Sequence, residues 1–354
     1  MIHLPLVFGL ALVLSLVMTP LVIRVLLRSK IMDIPNLRSS HSVPVPRGGG
    51  FGILIPFVLI IGVMLLVGAL RFDAIMLAIM VGLAGMTLIG FLDDIFSLSA
   101  LIRLALEGLL MGVCLALAPL QLREIAFPLS PPIATGIAGW VLAWLFLVGF
   151  PNLFNFMDGI NGLAGSQTLI ACVTLTILGH LSGQTNLAVF TAVIAGGSLG
   201  FLRYNVPQAR VFMGDSGSLP IGFLLAATAL ALSGRGAGIP IIVPVLVLWA
   251  FLFDAGLTLV IRACRKRRLH HAHRHHLYQR LVAMGYSHAR VTVMYSLMMI
   301  SLAAVALVYQ HAGESLRLLL LIVVIATSFG LAALVLYAYR RRVVQCVTRP
   351  QRDD

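Results

Sequence analysis

Apolar runs of membrane-crossing length alternate along the chain with short polar joints. The runs cover roughly residues 3–27, 51–70, 74–92, 100–118, 134–151, 163–180, 186–202, 218–234, 239–261, 291–310 and 316–338. Each approaches the roughly 20 residues that an α-helix needs to cross the hydrocarbon core of a bilayer. The pattern predicts an all-α polytopic membrane protein with about eleven transmembrane helices. The joints at 70–74 and 180–186 are the shortest, and a re-entrant or tilted segment could hide there.

The first run differs from a cleaved leader. It has no basic start, carries only His3 before its apolar stretch, lacks a small-residue cleavage pattern, and has Arg24, Arg28 and Lys30 at its far end. It reads as a retained first span with its N-terminus outside. Eleven spans then put the joints 28–50, 93–99, 152–162, 203–217 and 262–290, with the tail from Arg340, on one face. Counting helix ends with the joints, that face holds 21 of the 25 Lys and Arg residues and leaves only Arg71, Arg123, Arg235 and Arg317 opposite. Basic residues accumulate in cytoplasmic loops, so this face, and the C-terminus with it, is expected to be cytoplasmic. No internal repeat or separate soluble domain is visible: residues 1–340 form one transmembrane domain and 341–354 a basic cytoplasmic tail.

Composition agrees with this pattern and removes several function classes. With 60% hydrophobic and 10% charged residues, the 354-residue chain is no ordinary soluble globule. The net charge of +13 has a topological explanation and leaves nucleic acid unnecessary. Cys114, Cys172, Cys264 and Cys346 lie far apart, so neither a disulfide scaffold nor a cysteine zinc site is suggested.

Candidate chemistry lies in the inner joints. Asp93-Asp94 close an otherwise uncharged run, where two carboxylates are costly unless they sit at the membrane boundary or hold a cation. Arg103 follows in the next span and could neutralise them or approach a phosphate. In the first inner joint, Arg47-Gly48-Gly49-Gly50 offers a guanidinium beside backbone N–H groups that a ligand could approach closely; Arg47 and Gly48 are candidate phosphate contacts. Asn152, Asn155 and Asp158 recur every third residue, which on a helix end places them on one face, with Asn161 and two glycines following. Asp215 is the only acid of its joint, is flanked by Gly214 and Gly217, and just precedes an apolar helix, whose N-terminal N–H groups favour phosphate and carboxylate charge. It is the best single metal ligand. Asp254 lies well inside a span and reads first as a structural or proton-sharing partner for a facing span. His273, Arg274, His275 and His276 sit in a basic joint with no HExxH spacing and no glutamate, which suits a phosphorylated ligand better than zinc.

Taken in order, these segments resemble the polyprenyl-phosphate N-acetylhexosamine-1-phosphate transferases, glycosyltransferase family 4. Asp93-Asp94 resembles the paired-aspartate motif, residues 152–163 the NxxNxxDGxxGL motif, Asp215 with its glycines the GDSGS motif, and His273 with His275-His276 the histidine motif. The match runs from about Asp33 to Gly285. Any one motif is modest, whereas the ordered set is highly specific. The resemblance implies a bacterial inner-membrane enzyme, its N-terminus periplasmic and its active site on the cytoplasmic face. Such an enzyme transfers a sugar 1-phosphate from a UDP-N-acetylhexosamine to undecaprenyl phosphate and releases UMP, with Mg²⁺ or Mn²⁺ as cofactor. On that basis Asp93, Asp94, Asp158, Asp215, His275 and His276 are the expected catalytic residues. Asp215 is the expected metal ligand, and Asp93 or Asp94 either joins it or prepares the lipid phosphate. Arg47, Gly48, Asn152, Asn155, Asn161, His273 and Arg274 are expected to bind substrate. Membrane lipids are further partners, and a homodimer is left open.

The first-loop sequence 38–50 and the histidine loop 270–280 resemble the branch that starts O-antigen and other surface polysaccharides, which points to a small donor with a 6-deoxy sugar such as N-acetylfucosamine or N-acetylquinovosamine. The alternatives are a UDP-N-acetylglucosamine-specific enzyme and then a phospho-N-acetylmuramoyl-pentapeptide transferase, disfavoured because Ser97 stands where the cell-wall enzymes have lysine. A non-enzymatic transporter of polyprenyl-linked sugar comes last, since the polar clusters gather on one side and mark no midplane route.

Overall fold

The computed structural model describes residues 2–34, 43–234, 238–265 and 275–348. Each expected span corresponds to a helix. They are α1 (Leu4–Arg28), α2 (Phe51–Leu66), α3 (Ala74–Phe96), α4 (Ala100–Leu117), α5 (Ala138–Met157), α6 (Leu163–Leu181), α7 (Thr185–Asn205), α8 (Asp215–Leu232), α9 (Ile242–Cys264), α11 (His288–His311) and α12 (Glu314–Thr348), with a short α10 (Leu277–Ala283) between α9 and α11. Ten of the described helices are long and apolar enough to cross a membrane. The exception, α2, has 16 residues, about 24 Å at the helical rise. At the joints 70–74 and 180–186 the chain simply turns from one helix into the next: Asp73 caps α3 by accepting the Met76 N–H at 2.7 Å, and Gly183 takes a positive φ between α6 and α7.

Among the described residues strand is confined to two antiparallel pairs, β1 (Met32–Asp33) with β2 (Val45–Pro46) and β3 (Glu124–Ile125) with β4 (Ile133–Ala134). The first pair matters for the site. It brings Arg47 into a bridge with Phe212, and the backbone N–H groups of Gly48 and Gly49 donate to the Phe212 carbonyl at 3.2 and 2.7 Å. The two loops that precede α2 and α8 are thereby tied together.

At the centre stands α8, all of whose 18 residues are buried. A helix apolar all round belongs inside a bundle, and α8 packs chiefly on α3 and α5. Close approach at its N-terminal end depends on glycine. A Cβ on Gly50 would lie 2.2 Å from the Gly217 Cα, and one on Gly90 would lie 2.2 Å from the Asp215 carbonyl oxygen. At the periphery, α12 runs 35 residues, about 52 Å, well beyond the span of 316–338 read from the sequence. Arg340, Arg341 and Arg342 therefore stand on a continuing helix, with α10 packed against it.

Several polar residues placed in joints belong to helices instead. Asp93 and Asp94 lie in the last turns of α3, Asn152 and Asn155 in α5, and Asp215 is the first residue of α8. The apolar runs end before the helices do, because a helix that packs on neighbours can carry its last polar turns at the boundary where they find partners.

Candidate active site

Four carboxylates and two arginines converge where the C-terminal ends of α3 and α5 meet the N-terminal end of α8. Asp94 and Asp93 are successive residues of α3, about 100° apart around its axis, and so face different neighbours. Asp94, whose side chain is 1% exposed, accepts the backbone N–H groups of Asp215 and Ser216, both at 3.0 Å, and pairs with Arg47 Nε at 2.7 Å. It is the anionic cap of α8. Asp93 accepts from Arg103 Nη1 at 2.6 Å and lies in hydrogen-bonding contact with the Asp215 carboxylate.

Asp215 is the hub of the cluster. Its Oδ1 accepts from Arg47 Nη2 at 2.6 Å and from Asn155 Nδ2 at 2.8 Å, and its Oδ2 is 3.6 Å from Arg103 Nη1. Asn155 also donates to Ser218 Oγ at 2.8 Å, which fixes the face of α5 that looks at α8. Asp158 lies just past α5, in non-helical backbone, near Gly214 at the start of α8. Burial and then repulsion from Asp215 push its carboxyl well above the usual carboxylate range, against the opposing pull of Arg47. Burial works against the charge of Arg47, yet Asp215 and Asp94 hold its guanidinium above its ordinary value.

The N–H groups at the start of α8, read as favouring phosphate and carboxylate charge, are met by a protein carboxylate: Asp94 accepts from Asp215 and Ser216. The three aspartates do not face a single ion, because Asp94 is turned into the α8 cap; among the described residues no three His, Cys, Asp or Glu side chains form a group that could hold a metal. What remains is the Asp93–Asp215 pair. Two carboxylates in contact repel one another unless a proton or cation lies between them, and an all-oxygen pair suits Mg²⁺ or Mn²⁺, which complete their shells with water and substrate phosphate. The residues present fit such an ion.

The remaining expected residues separate into groups. Asn152 points away from Asp215 and bridges α4: its Oδ1 accepts from Arg103 Nη2 at 3.2 Å, and its Nδ2 donates to Glu107. Only Asn155 of the three-residue repeat therefore touches Asp215 through its side chain. Gly48 adopts φ +113° and lies beside Ser216 and Gly214, so it belongs to the loop wall. Asn161 donates to the Pro207 carbonyl at 3.0 Å and its own carbonyl accepts from Thr292, which ties it to the α7–α8 loop and to α11. His276 is 2% exposed, with its ring near Phe156 and Tyr278 and its Nδ1 3.7 Å from Asp254 Oδ1. His275 is half-buried and its carbonyl accepts from Arg280 Nε at 2.9 Å. His273 and Arg274 lie outside the described residues, as does the part of the stretch 38–50 up to residue 42 that helped carry the first-loop resemblance.

Asp254 meets the expectation of a partner for a facing span. It accepts the Leu277 and Tyr278 backbone N–H groups at 2.7 and 3.1 Å and the Tyr295 hydroxyl of α11 at 2.6 Å. The Tyr278 hydroxyl in turn donates to the Phe156 carbonyl at 3.0 Å, so α10 is locked onto the end of α5. Sequence reasoning missed Glu107. The signal was present: an acid inside an otherwise apolar span, one helical turn after Arg103.

Comparison with known proteins agrees with the geometry. Residues 76–233 match the family model described as glycosyl transferase family 4. The chain is 29% identical over 331 residues, 92% of its length and 90% of the relative's, to a Bacillus subtilis protein named probable undecaprenyl-phosphate N-acetylglucosaminyl 1-phosphate transferase. It is 31% identical to a phospho-N-acetylmuramoyl-pentapeptide-transferase of Desulforamulus reducens, over 62% of this chain and 71% of that one. A decaprenyl-phosphate N-acetylglucosaminephosphotransferase of Mycobacterium leprae is 29% identical over 73% of this chain and 72% of its own. With residues of its three aspartate-bearing motifs gathered into one carboxylate–arginine cluster at the end of a helical bundle, the chain belongs to glycosyl transferase family 4, the membrane-bound polyprenyl-phosphate N-acetylhexosamine-1-phosphate transferases.

Proposed function

We propose that the protein transfers an N-acetylhexosamine 1-phosphate from its UDP-sugar to undecaprenyl phosphate at the cytoplasmic face of a bacterial inner membrane. The observation that carries this reading is the meeting of Asp93, Asp94, Asp158 and Asp215 with Arg47 and Arg103 at one end of the bundle. That end holds most of the basic residues, which supports a cytoplasmic orientation.

An oxygen of the lipid phosphate attacks the β-phosphorus of the donor; the new O–P bond forms as the bond from the β-phosphorus to the bridging oxygen breaks, and UMP leaves with that electron pair. Asp215 and Asp93 would hold Mg²⁺ or Mn²⁺, which when bound would supply charge neutralisation for the two anionic reactants. Asn155 and Arg47 fix the Asp215 carboxylate, and Asp94 fixes the backbone from which Asp215 projects. His276 packs with Tyr278 and Phe156 beside the end of α5, and in this reading it assists binding of the diphosphate or the departing UMP.

For the donor we put N-acetylglucosamine first. The support is the similarity over nine-tenths of both chains to a protein of that name; the 6-deoxy donor rests only on the likeness of two loop sequences. The product would start a surface or cell-wall polysaccharide. Incubation of the purified protein with undecaprenyl phosphate and labelled UDP-N-acetylhexosamines, with and without Mg²⁺, is expected to give UMP and a labelled lipid whose mass is that of a diphosphate-linked sugar. No lipid product with any donor would overturn the proposal. In a competition assay, preference for a 6-deoxy donor would overturn the choice of N-acetylglucosamine, and preference for UDP-N-acetylmuramoyl-pentapeptide would overturn the branch.

A further inference from the structure

Arg103 and Glu107 are the only charged residues of α4, and Glu107 is fully buried. An acid in this position carries a desolvation cost that packing alone does not explain. Its surroundings supply a reason. One carboxylate oxygen, Oε2, accepts from Asn152 Nδ2. The other, Oε1, is buried without a hydrogen-bond partner, and so is Arg103 Nε, which stands 3.7 Å away. The two unsatisfied groups face each other just beyond hydrogen-bonding distance.

The far end of the same guanidinium is placed elsewhere. Arg103 Nη1 is 2.6 Å from Asp93 Oδ2 and 3.6 Å from Asp215 Oδ2. It thus neutralises the two carboxylates that fit a divalent cation. An arginine and a dication on the same oxygens repel strongly, so loading of the ion requires Arg103 to give way. Asn152 spans both partners, accepting from Arg103 Nη2 and donating to Glu107.

We propose that Glu107 is a positioning residue that receives Arg103 when Asp93 and Asp215 take up the metal ion. The assignment rests on the metal reading above. A small rotation of the arginine closes the 3.7 Å gap to Oε1, satisfies both orphaned atoms and opens the carboxylate pair, while the positive charge stays close enough to meet an arriving phosphate.

Mn²⁺ binding to the full-length protein in nanodiscs, read by the electron paramagnetic resonance of free Mn²⁺ without substrates, tests the assignment through four forms: wild type, Glu107→Gln, Arg103→Gln and the double variant. Glu107→Gln is expected to weaken Mn²⁺ binding about tenfold, within the range of couplings between residues of one network, and to change it less than about twofold once Arg103 is already Gln. An equal loss in both backgrounds would mean that Glu107 acts by its own charge, and together with no loss in either it overturns the assignment. Should Glu107→Gln not fold, Arg103→Lys, which keeps the charge but has no Nε facing Glu107, is expected to show the same loss, and unchanged affinity there overturns it too. A wild type that binds no Mn²⁺ overturns the metal reading and this assignment with it, whereas binding with an additive cycle overturns this assignment alone.

Discussion

Asp93 and Asp94 are neighbours in sequence, but amide replacement of each should fail in a different way. Asp94→Asn keeps one carbonyl oxygen for one of the two α8 N–H groups, now 3.0 Å away, and turns an NH₂ toward the other donor. Leaving one buried backbone N–H without an acceptor costs about 1–3 kcal/mol. Loss of the ion pair adds roughly 1 kcal/mol, below the cost of breaking a fully buried pair, because Arg47 is 32% exposed and keeps Asp215 at 2.6 Å. The total is about 3 kcal/mol, a large share of the stability of an ordinary domain. Asp93→Asn is milder for the fold, since Arg103 retains Asn152 at 3.2 Å and lies 3.6 Å from Asp215; a loss of about 1 kcal/mol or less is expected. Its effect should fall on turnover instead, where one charge of the Asp93–Asp215 pair is gone. Thermal unfolding of both variants in the same detergent, followed by size exclusion after heating, and UMP release by the folded fraction separate the two effects. Asp94→Asn should melt several degrees below wild type, and Asp93→Asn should melt near wild type with turnover reduced at least a hundredfold. An Asp94→Asn protein that melts with wild type, or an Asp93→Asn protein that melts lower than it, would refute the division of roles.

Asp215→Ala should insert in the membrane at wild-type level and release no measurable UMP, because it removes the group on which Arg47, Asn155 and Asp93 converge; normal turnover of the folded variant would reject Asp215 as essential. Gly90→Ala places a methyl 2.2 Å from the Asp215 carbonyl oxygen, and the resulting shift of α8 should cost about 1–3 kcal/mol and most of the activity, both read in the same melting and UMP assays. Asp254→Asn keeps one oxygen for three buried donors and turns an NH₂ toward the rest, and should destabilise the α10 region by about 2–4 kcal/mol; faster tryptic cleavage between α9 and α10, with the bundle otherwise intact, is the measurement.

The sequence by itself determined the all-α polytopic architecture and singled out most of the polar residues that meet at one end of the bundle. Those features are local: a span is a count of apolar residues, and a polar residue at the end of an apolar run is conspicuous wherever it lies. Tertiary structure alone decided what each polar residue does. Asp93 and Asp94 differ by one step around α3, and only the rotation of that helix sends one to Arg103 and the other to the start of α8, 121 residues away along the chain. The N–H groups opening α8 invite an anion on sequence grounds, and only the packing of α3 against α8 makes that anion Asp94. Asn152, Asn155 and Asp158 share a spacing but not a partner, because α5 passes between α4 and α8 and its helix ends before Asp158. Glu107 and Asp254 show the same limit most plainly: a buried acid announces that a partner exists, and only the packing of distant helices supplies Asn152 and Arg103 for the one, and Tyr295 with the backbone of α10 for the other.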